Sequence, residues 1–290
     1  MTDDRKKDFI QSAFNVEDFQ GLGRRKIWRL TSIFFSEFFA TAVTVFLLCS
    51  AIQGTVFNQK QSHLTVGTTG GFAVATSVML FGHVSGSYIN PALSLAAVIL
   101  CEISLPLFVF YVIAECSGAT FGYALTRALL PEEISNANST LSYLDYNARC
   151  CSVPDSRFTT SQILLGELLA TAILTWAFCS ALDKRNLNKH DSLPVKFGIV
   201  IIALALPIGL YTGCNINPAR SFGPAVYNNF WDKHWVYWLG PMLGGFIAAT
   251  SYRFFFDPAH MEITSPIRER RDSATVINLR NNSHKCDNDA

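Results

Sequence analysis

Charged side chains are scarce in this chain: they make up 16% of its 290 residues, against 50% apolar ones. A soluble domain carries about 25% charge, so the composition excludes an ordinary water-exposed globule. The opening segment Met1 to Arg29 lacks an apolar core beside a small-residue cleavage site. It is therefore expected not to be a secretory signal, and the first apolar span is expected to act as its own insertion signal. No enzyme constellation is present either: the 6 histidines are scattered, and none lies near a Ser or Cys nucleophile in a recognisable motif. The 8 cysteines do not suggest a disulfide framework. Cys49, Cys101, Cys116 and Cys179 lie in or beside apolar spans, where Cys behaves as a small hydrophobe. Cys150 and Cys151 fall in a polar connection. Adjacent thiols rarely bridge each other, and pairing elsewhere stays open.

What the chain does have is long apolar runs. Six are long enough to cross roughly 30 Å of hydrocarbon, which takes about 20 residues: Thr31 to Ala51, Val66 to Val84, Pro106 to Leu129, Gln162 to Leu182, Val195 to Tyr211 and Val236 to Phe256. Two shorter runs, Leu93 to Leu100 and Ser221 to Val226, follow the strings Ser87-Tyr88-Ile89-Asn90-Pro91-Ala92 and Cys214-Asn215-Ile216-Asn217-Pro218-Ala219-Arg220. Asn is a strong helix N-cap, and Pro is tolerated next because its missing N–H would have had no partner there. Each string therefore predicts the start of a helix too short to span, that is, a re-entrant half-helix. The fold class expected is an all-α membrane protein of six transmembrane helices and two re-entrant half-helices.

The distribution of basic residues sets the orientation, although the formal charge of +1 does not. Short cytoplasmic loops carry the excess of Lys and Arg. Arg5, Lys6, Lys7, Arg24, Arg25, Lys26 and Arg29 share a side with Lys184, Arg185, Lys189 and Lys196, and with Arg253, Arg268, Arg270, Arg271, Arg280 and Lys285. That side is expected to be cytoplasmic. The domain plan is an N-terminal cytoplasmic segment (1–30), a first repeat (31–130), an extracellular connection (131–160), a second repeat (161–256) and a cytoplasmic tail (257–290).

The repeat is visible in the residues. Glu37-Phe38-Phe39-Ala40-Thr41-Ala42 in the first span matches Glu167-Leu168-Leu169-Ala170-Thr171-Ala172 in the fourth. Gly71 precedes Asn90 by the same nineteen residues that separate Gly198 from Asn217. Gly118 and Gly122 in the third span match Gly240, Gly244 and Gly245 in the sixth. Three spans separate the copies, so the second copy runs through the membrane in the opposite sense, and inverted repeats place their sites at the interface near the midplane. Two half-helices meeting there bring together two N-termini, each carrying roughly half a positive charge. Glu37 and Glu167 cost about 2.5–3.5 kcal/mol each in a bilayer, so they are expected to face inward and accept backbone N–H groups, bracing the two loops. A proton-transport role is the alternative. Outside these two symmetric glutamates no carboxylate cluster suggests a coupling ion, which disfavours an alternating-access transporter.

Over about residues 31–256 the chain resembles the aquaporin family. The resemblance rests on the two Asn-Pro-Ala boxes, the paired Glu-x-x-x-Thr and the run Thr212-Gly213-Cys214-Asn215-Ile216-Asn217-Pro218-Ala219-Arg220-Ser221-Phe222-Gly223. It implies a homotetramer with one pore per subunit, passive conduction without a cofactor, and central donors from Asn90 and Asn217. Arg220 matches the arginine of the family's narrowest constriction, where a fixed cation excludes protons and cations. The remaining filter positions depart from the water-selective pattern. Such members carry a histidine twelve residues before the second-box Asn and a phenylalanine twenty before the first, where this chain has Ala205 and Gly70. Cys214 does match water-channel members and predicts block by mercurials. With Gly70, Ala205, Cys214 and Arg220 as filter, an apolar wall faces a donor, which suits glycerol and urea. The alternatives are that these small residues serve helix packing, or that Phe72 restores the bulk.

Other markers are of the water-channel type: Ser221 and Ala225 stand where glycerol facilitators carry an acid and a base, and Tyr237-Trp238 resembles the water-channel aromatic pair. The combination is most similar to the insect entomoglyceroporins. Glu115 departs from the neutral amide of relatives and is expected to be a buried, hydrogen-bonded acid. The function expected is a passive channel for water, glycerol and urea. A water-selective channel and a junctional or scaffolding membrane protein with little conduction are the alternatives, and no nucleic-acid partner is expected. The expected location is the cell membrane, multi-pass with both termini cytoplasmic, or an intracellular vesicle membrane. Asn138 begins a glycosylation sequon on the predicted outer side. Ser273 follows a basic run resembling a kinase site, in a tail expected to be polar and disordered.

Overall fold

The computed structural model describes residues 23–53, 62–130, 150–153 and 156–256, and among them the regular elements are all helical. The α-helices are α1 (Arg24–Gln53), α2 (His63–Ser85), α3 (Pro91–Ile99), α4 (Leu105–Ala128), α5 (Thr160–Leu182), α6 (Leu193–Thr212), α7 (Pro218–Asn228) and α8 (Val236–Phe255), with a 3-10 segment at Lys184–Ser192. The starts are capped as the sequence dictates. Ser62 accepts from Thr65 N and Ser104 from Leu107 N, while Thr159 and Gln162 form a reciprocal capping box. α1 begins at Arg24, ahead of the expected Thr31, and its added turn, Arg24 to Arg29, is exposed on every side.

Five helices, α1, α2, α4, α5 and α6, are long and apolar enough to cross a membrane. The sixth, α8, falls short in hydropathy because Tyr237, Trp238, Gly240, Pro241, Gly244, Gly245 and Arg253 dilute it. It nonetheless packs in the second repeat as α4 does in the first. Polar groups are buried beside the apolar core while large apolar side chains face outward: Glu37, Thr41, Ser77, Glu167 and Thr171 are fully buried, and Phe35, Phe39, Leu165, Leu169, Phe246 and Ile247 are exposed. Such an apolar outer surface suits lipid as the solvent.

Close backbone approach fixes the packing. At the crossing of α2 and α6, a Cβ on Gly71 would stand 2.5 Å from Gly198 O, and one on Gly198 would stand 2.9 Å from Gly71 O. Gly118 and Gly122 of α4 lie directly against Phe38 O and Ala42 O of α1. Gly244 of α8 lies in the same way against Leu168 O of α5. The two halves thus repeat one small-residue contact, and the Gly71–Gly198 crossing joins them.

The half-helices start where the Asn-Pro-Ala strings predict. Asn90 caps α3 and Asn217 caps α7, each in extended backbone, with Pro at the first turn. Most of α3 and the first turns of α7 are buried, which a full-length span with a lipid face would not be.

A candidate pore and its constriction

The loops feeding the half-helices carry unusual backbone. Ser87, Ile89, Cys214 and Ile216 all have φ between 46° and 52°, a region that β-branched residues rarely adopt. Such strain persists only where surrounding contacts over-determine it, and two buried carboxylates supply those contacts in matched fashion. Glu37 Oε1 accepts from Ser85 Oγ at 2.6 Å and from Tyr88 N at 3.0 Å, and Oε2 accepts from Ile89 N at 2.8 Å. Glu167 Oε1 accepts from Thr212 Oγ1 at 2.6 Å and from Asn215 N at 2.9 Å, and Oε2 accepts from Ile216 N at 2.7 Å. Ser85 and Thr212 also accept from Ser87 N and Cys214 N, at 3.1 and 3.0 Å. One hydroxyl completes each brace, a role the sequence reading missed.

The two loops then lock onto each other. Asn90 Nδ2 donates to Ile216 O at 2.9 Å, and Asn217 Nδ2 donates to Ile89 O at 2.7 Å. Their Oδ1 atoms are occupied by the backbone: Asn90 accepts from Ala92 N, and Asn217 from Ala219 N and Arg220 N. An amide NH2 has two hydrogens. One from each Asn ties the loops, which leaves one from each for a guest. Both side chains line a continuous cavity of about 800 Å³, and so do Gly70, Ala205, Cys214 and Arg220. Pro91, Ala92, Pro218 and Ala219 are buried behind the cap residues.

Arg220 is 8% exposed, and its orientation is set by a short segment of the connection between the two repeats. Its Nη1 donates to Ser152 Oγ at 2.9 Å, Cys150 O at 3.3 Å and Asn215 Oδ1 at 3.4 Å. Among the described residues its Nε–H has no partner. The Cys150 segment is pinned by a disulfide from Cys49 at the end of α1 to Cys150, which corrects the expectation that the cysteines carry no framework. Cys101, Cys116, Cys151, Cys179 and Cys214 are free.

Of the further expectations, the Phe72 alternative is not met and the buried, hydrogen-bonded Glu115 is. Phe72 is 64% exposed and takes no part in lining the cavity, so it does not replace the missing bulk at Gly70. A Cβ on Gly70 would find Leu48 Cδ1 at 3.5 Å and Ile201 Cγ2 at 3.9 Å, ordinary van der Waals distances. Glu115 is fully buried and accepts from Ser94 Oγ at 2.6 Å, which ties α4 to the half-helix α3. Asn138 and Ser273 lie outside the described residues, as do most of the connection at 131–160 and the tail from 257.

A family model described as "Major intrinsic protein" matches residues 25–252. The chain belongs to the major intrinsic protein family. Among its relatives, Aquaporin-2 of Ovis aries is 35% identical over 245 residues, covering 80% of this chain and 84% of that protein. Aquaporin-4 of Mus musculus is 31% identical over 243 residues, covering 83% and 71% respectively. The fold is similar to the X-ray structure of the aquaglyceroporin from Plasmodium falciparum, with a TM-score of 0.70 at 20% identity over 79% of this chain and 98% of that one. As a member of the major intrinsic protein family, this chain is a multi-pass membrane protein of a channel family.

Proposed function

We propose that this chain is a passive channel for water and small uncharged solutes such as glycerol and urea, and that it excludes protons and ions. The observation that carries this reading is the cavity wall at Gly70 and Ala205, two positions without bulk, shared with Arg220 and Cys214. A solute with a carbon backbone needs an apolar side, and its hydroxyls or amides need fixed donors. Val74, Val78, Leu174 and Ile201 contribute apolar surface to the same cavity. Arg220 and the unspent hydrogens of Asn90 and Asn217 are the donors. Proton and cation exclusion follows from the fixed charge of Arg220 together with the positive ends of α3 and α7, which meet through the Asn90–Ile216 and Asn217–Ile89 hydrogen bonds. Both termini cytoplasmic, a homotetramer in the cell membrane and a place near the entomoglyceroporins belong to the same proposal.

A water-selective channel is the second reading, favoured by the names of the Aquaporin-2 and Aquaporin-4 relatives. The two readings separate in proteoliposomes through Ala205→His. A ring at Ala205 is expected to lower labelled glycerol and urea uptake by about tenfold or more, equivalent to ~1.4 kcal/mol of added barrier, while osmotic water flux persists. Solute uptake unaffected by the histidine would remove Ala205 from the filter.

A further inference from the structure

The filter positions named by sequence lack bulk, but a ring reaches the same region from elsewhere. His63 is the first residue of α2 and shares a face with Gly67 and Gly70, four and seven residues on. It lines the cavity with them and with Ala205 and Arg220. Its Nε2 lies 2.9 Å from Leu206 O and 3.1 Å from Ala205 O. A carbonyl oxygen has no proton to give, so Nε2 carries the hydrogen and donates. In the neutral ring Nδ1 is then an acceptor, and no described residue donates to it. The ring has a fitted seat. A Cβ on Gly209 would stand 2.5 Å from His63 Cε1 and 3.2 Å from Nε2, so the imidazole rests where any other residue at 209 would intrude. Below it, a Cβ on Gly67 would meet Leu206 Cδ2 at 3.1 Å and Ala205 Cβ at 3.4 Å. Small residues thus bring α2 and α6 together while the ring closes over their junction.

We infer that His63 is a specificity-determining wall of the channel: its anchored imidazole limits solute width on the approach to Gly70 and Ala205, and its Nδ1 accepts a hydrogen bond from the hydroxyl or amide of the passing solute. The inference rests on the reading of the cavity as a solute pathway. His63 precedes Gly70 by seven residues, about 10 Å along a helix, so the solute meets the ring about two turns away from the Gly70 level. A donor at Arg220 and an acceptor at His63 together match a polyol or urea, which both gives and takes hydrogen bonds. Arg220 alone offers only donors.

The test uses proteoliposomes of the full chain, with uptake of labelled urea, glycerol and xylitol normalised to incorporated protein. His63→Ala is expected to raise the xylitol-to-glycerol uptake ratio by about tenfold, since opening a pocket by a ring's width relaxes size discrimination on that scale. Gly209→Ala pushes the ring off its seat without altering His63. It is expected to cut glycerol uptake severalfold in the native background and to have little effect beside His63→Ala, as coupling between touching residues requires. The inference is overturned if His63→Ala leaves the ratio unchanged while the native chain conducts glycerol, or if Gly209→Ala acts equally in both backgrounds. A native chain that passes water but neither glycerol nor urea sinks the wide-filter reading instead. In that case, glycerol uptake gained by His63→Ala supports the ring as the wall, and no gain overturns it.

Discussion

Glu167→Leu will give a protein that neither conducts nor withstands mild heating in detergent. The substitution removes the acceptor of three buried donors: Thr212 Oγ1, Asn215 N and Ile216 N. Each unsatisfied buried donor costs about 1–3 kcal/mol, so the three together cost about 3–9 kcal/mol. That is comparable to the whole stability of a typical domain, about 5–15 kcal/mol. The loss also falls on backbone that is already strained, because Cys214 and Ile216 hold φ of 46° only while the loop is tied down. Without the brace, the Ile216 carbonyl that accepts from Asn90 moves, so the damage reaches the other half of the pore. Glu37→Leu is expected to do the same through Ser85, Tyr88 and Ile89. Glu167→Gln keeps one acceptor and turns a donor toward the loop, so it should fall between the native protein and Glu167→Leu. Tryptophan fluorescence melts and osmotic swelling read both effects. A Glu167→Leu protein with native melting and native flux would contradict the bracing account.

Cys49→Ser will lower the melting midpoint and alter solute selectivity together. The disulfide closes a separation of 101 residues; for a free chain such a loop is worth ~4.7 kcal/mol, an upper bound where the helices stay inserted on unfolding. The functional effect has a separate cause. Arg220 Nη1 donates to Cys150 O and Ser152 Oγ, so the bridge anchors the segment that aims the guanidinium. With it cut, Arg220 gains freedom, the constriction widens, and glycerol uptake changes relative to water flux. Reductant is expected to reproduce the change in the native protein and to add nothing in Cys49→Ser. A midpoint and a glycerol-to-water ratio both indifferent to reductant would show that the segment holds Arg220 without the bridge.

Much of the fold is legible in the sequence because local chemistry and the repeat agree. Asn90-Pro91 and Asn217-Pro218 are helix starts whatever surrounds them, and the short apolar runs behind them are too short for spans. Glu37 with Thr41 and Glu167 with Thr171 point to matched inner faces, and the equal Gly71 and Gly198 spacings mark a crossing that the backbone contacts reproduce. What was not legible depends on rotation and long-range pairing. Polar and apolar residues are spread around α2 with little sidedness, so nothing in its periodicity tells whether Gly70 or Phe72 faces inward; packing at Gly71 decides it. The Cys49–Cys150 bond was hidden by the adjacent Cys151, an equal candidate on sequence grounds, whose thiol instead lies 3.8 Å from Pro224 O. His63 was passed over because a filter read by fixed offsets from the Asn boxes ignores a residue two turns away that reaches back across the gap to Ala205.

The cavity lined by Gly70 and Ala205 is expected to admit solutes wider than water. The most direct measurement is the reflection coefficient of glycerol for proteoliposomes containing the native chain, taken from stopped-flow shrinkage in glycerol and in an impermeant sugar of equal osmolality. A coefficient well below that of protein-free liposomes, with labelled glycerol entering at a matching rate, is the predicted result. Rapid water flux with glycerol fully reflected would contradict it and would leave a water-selective channel narrowed by side chains other than those at Gly70 and Ala205.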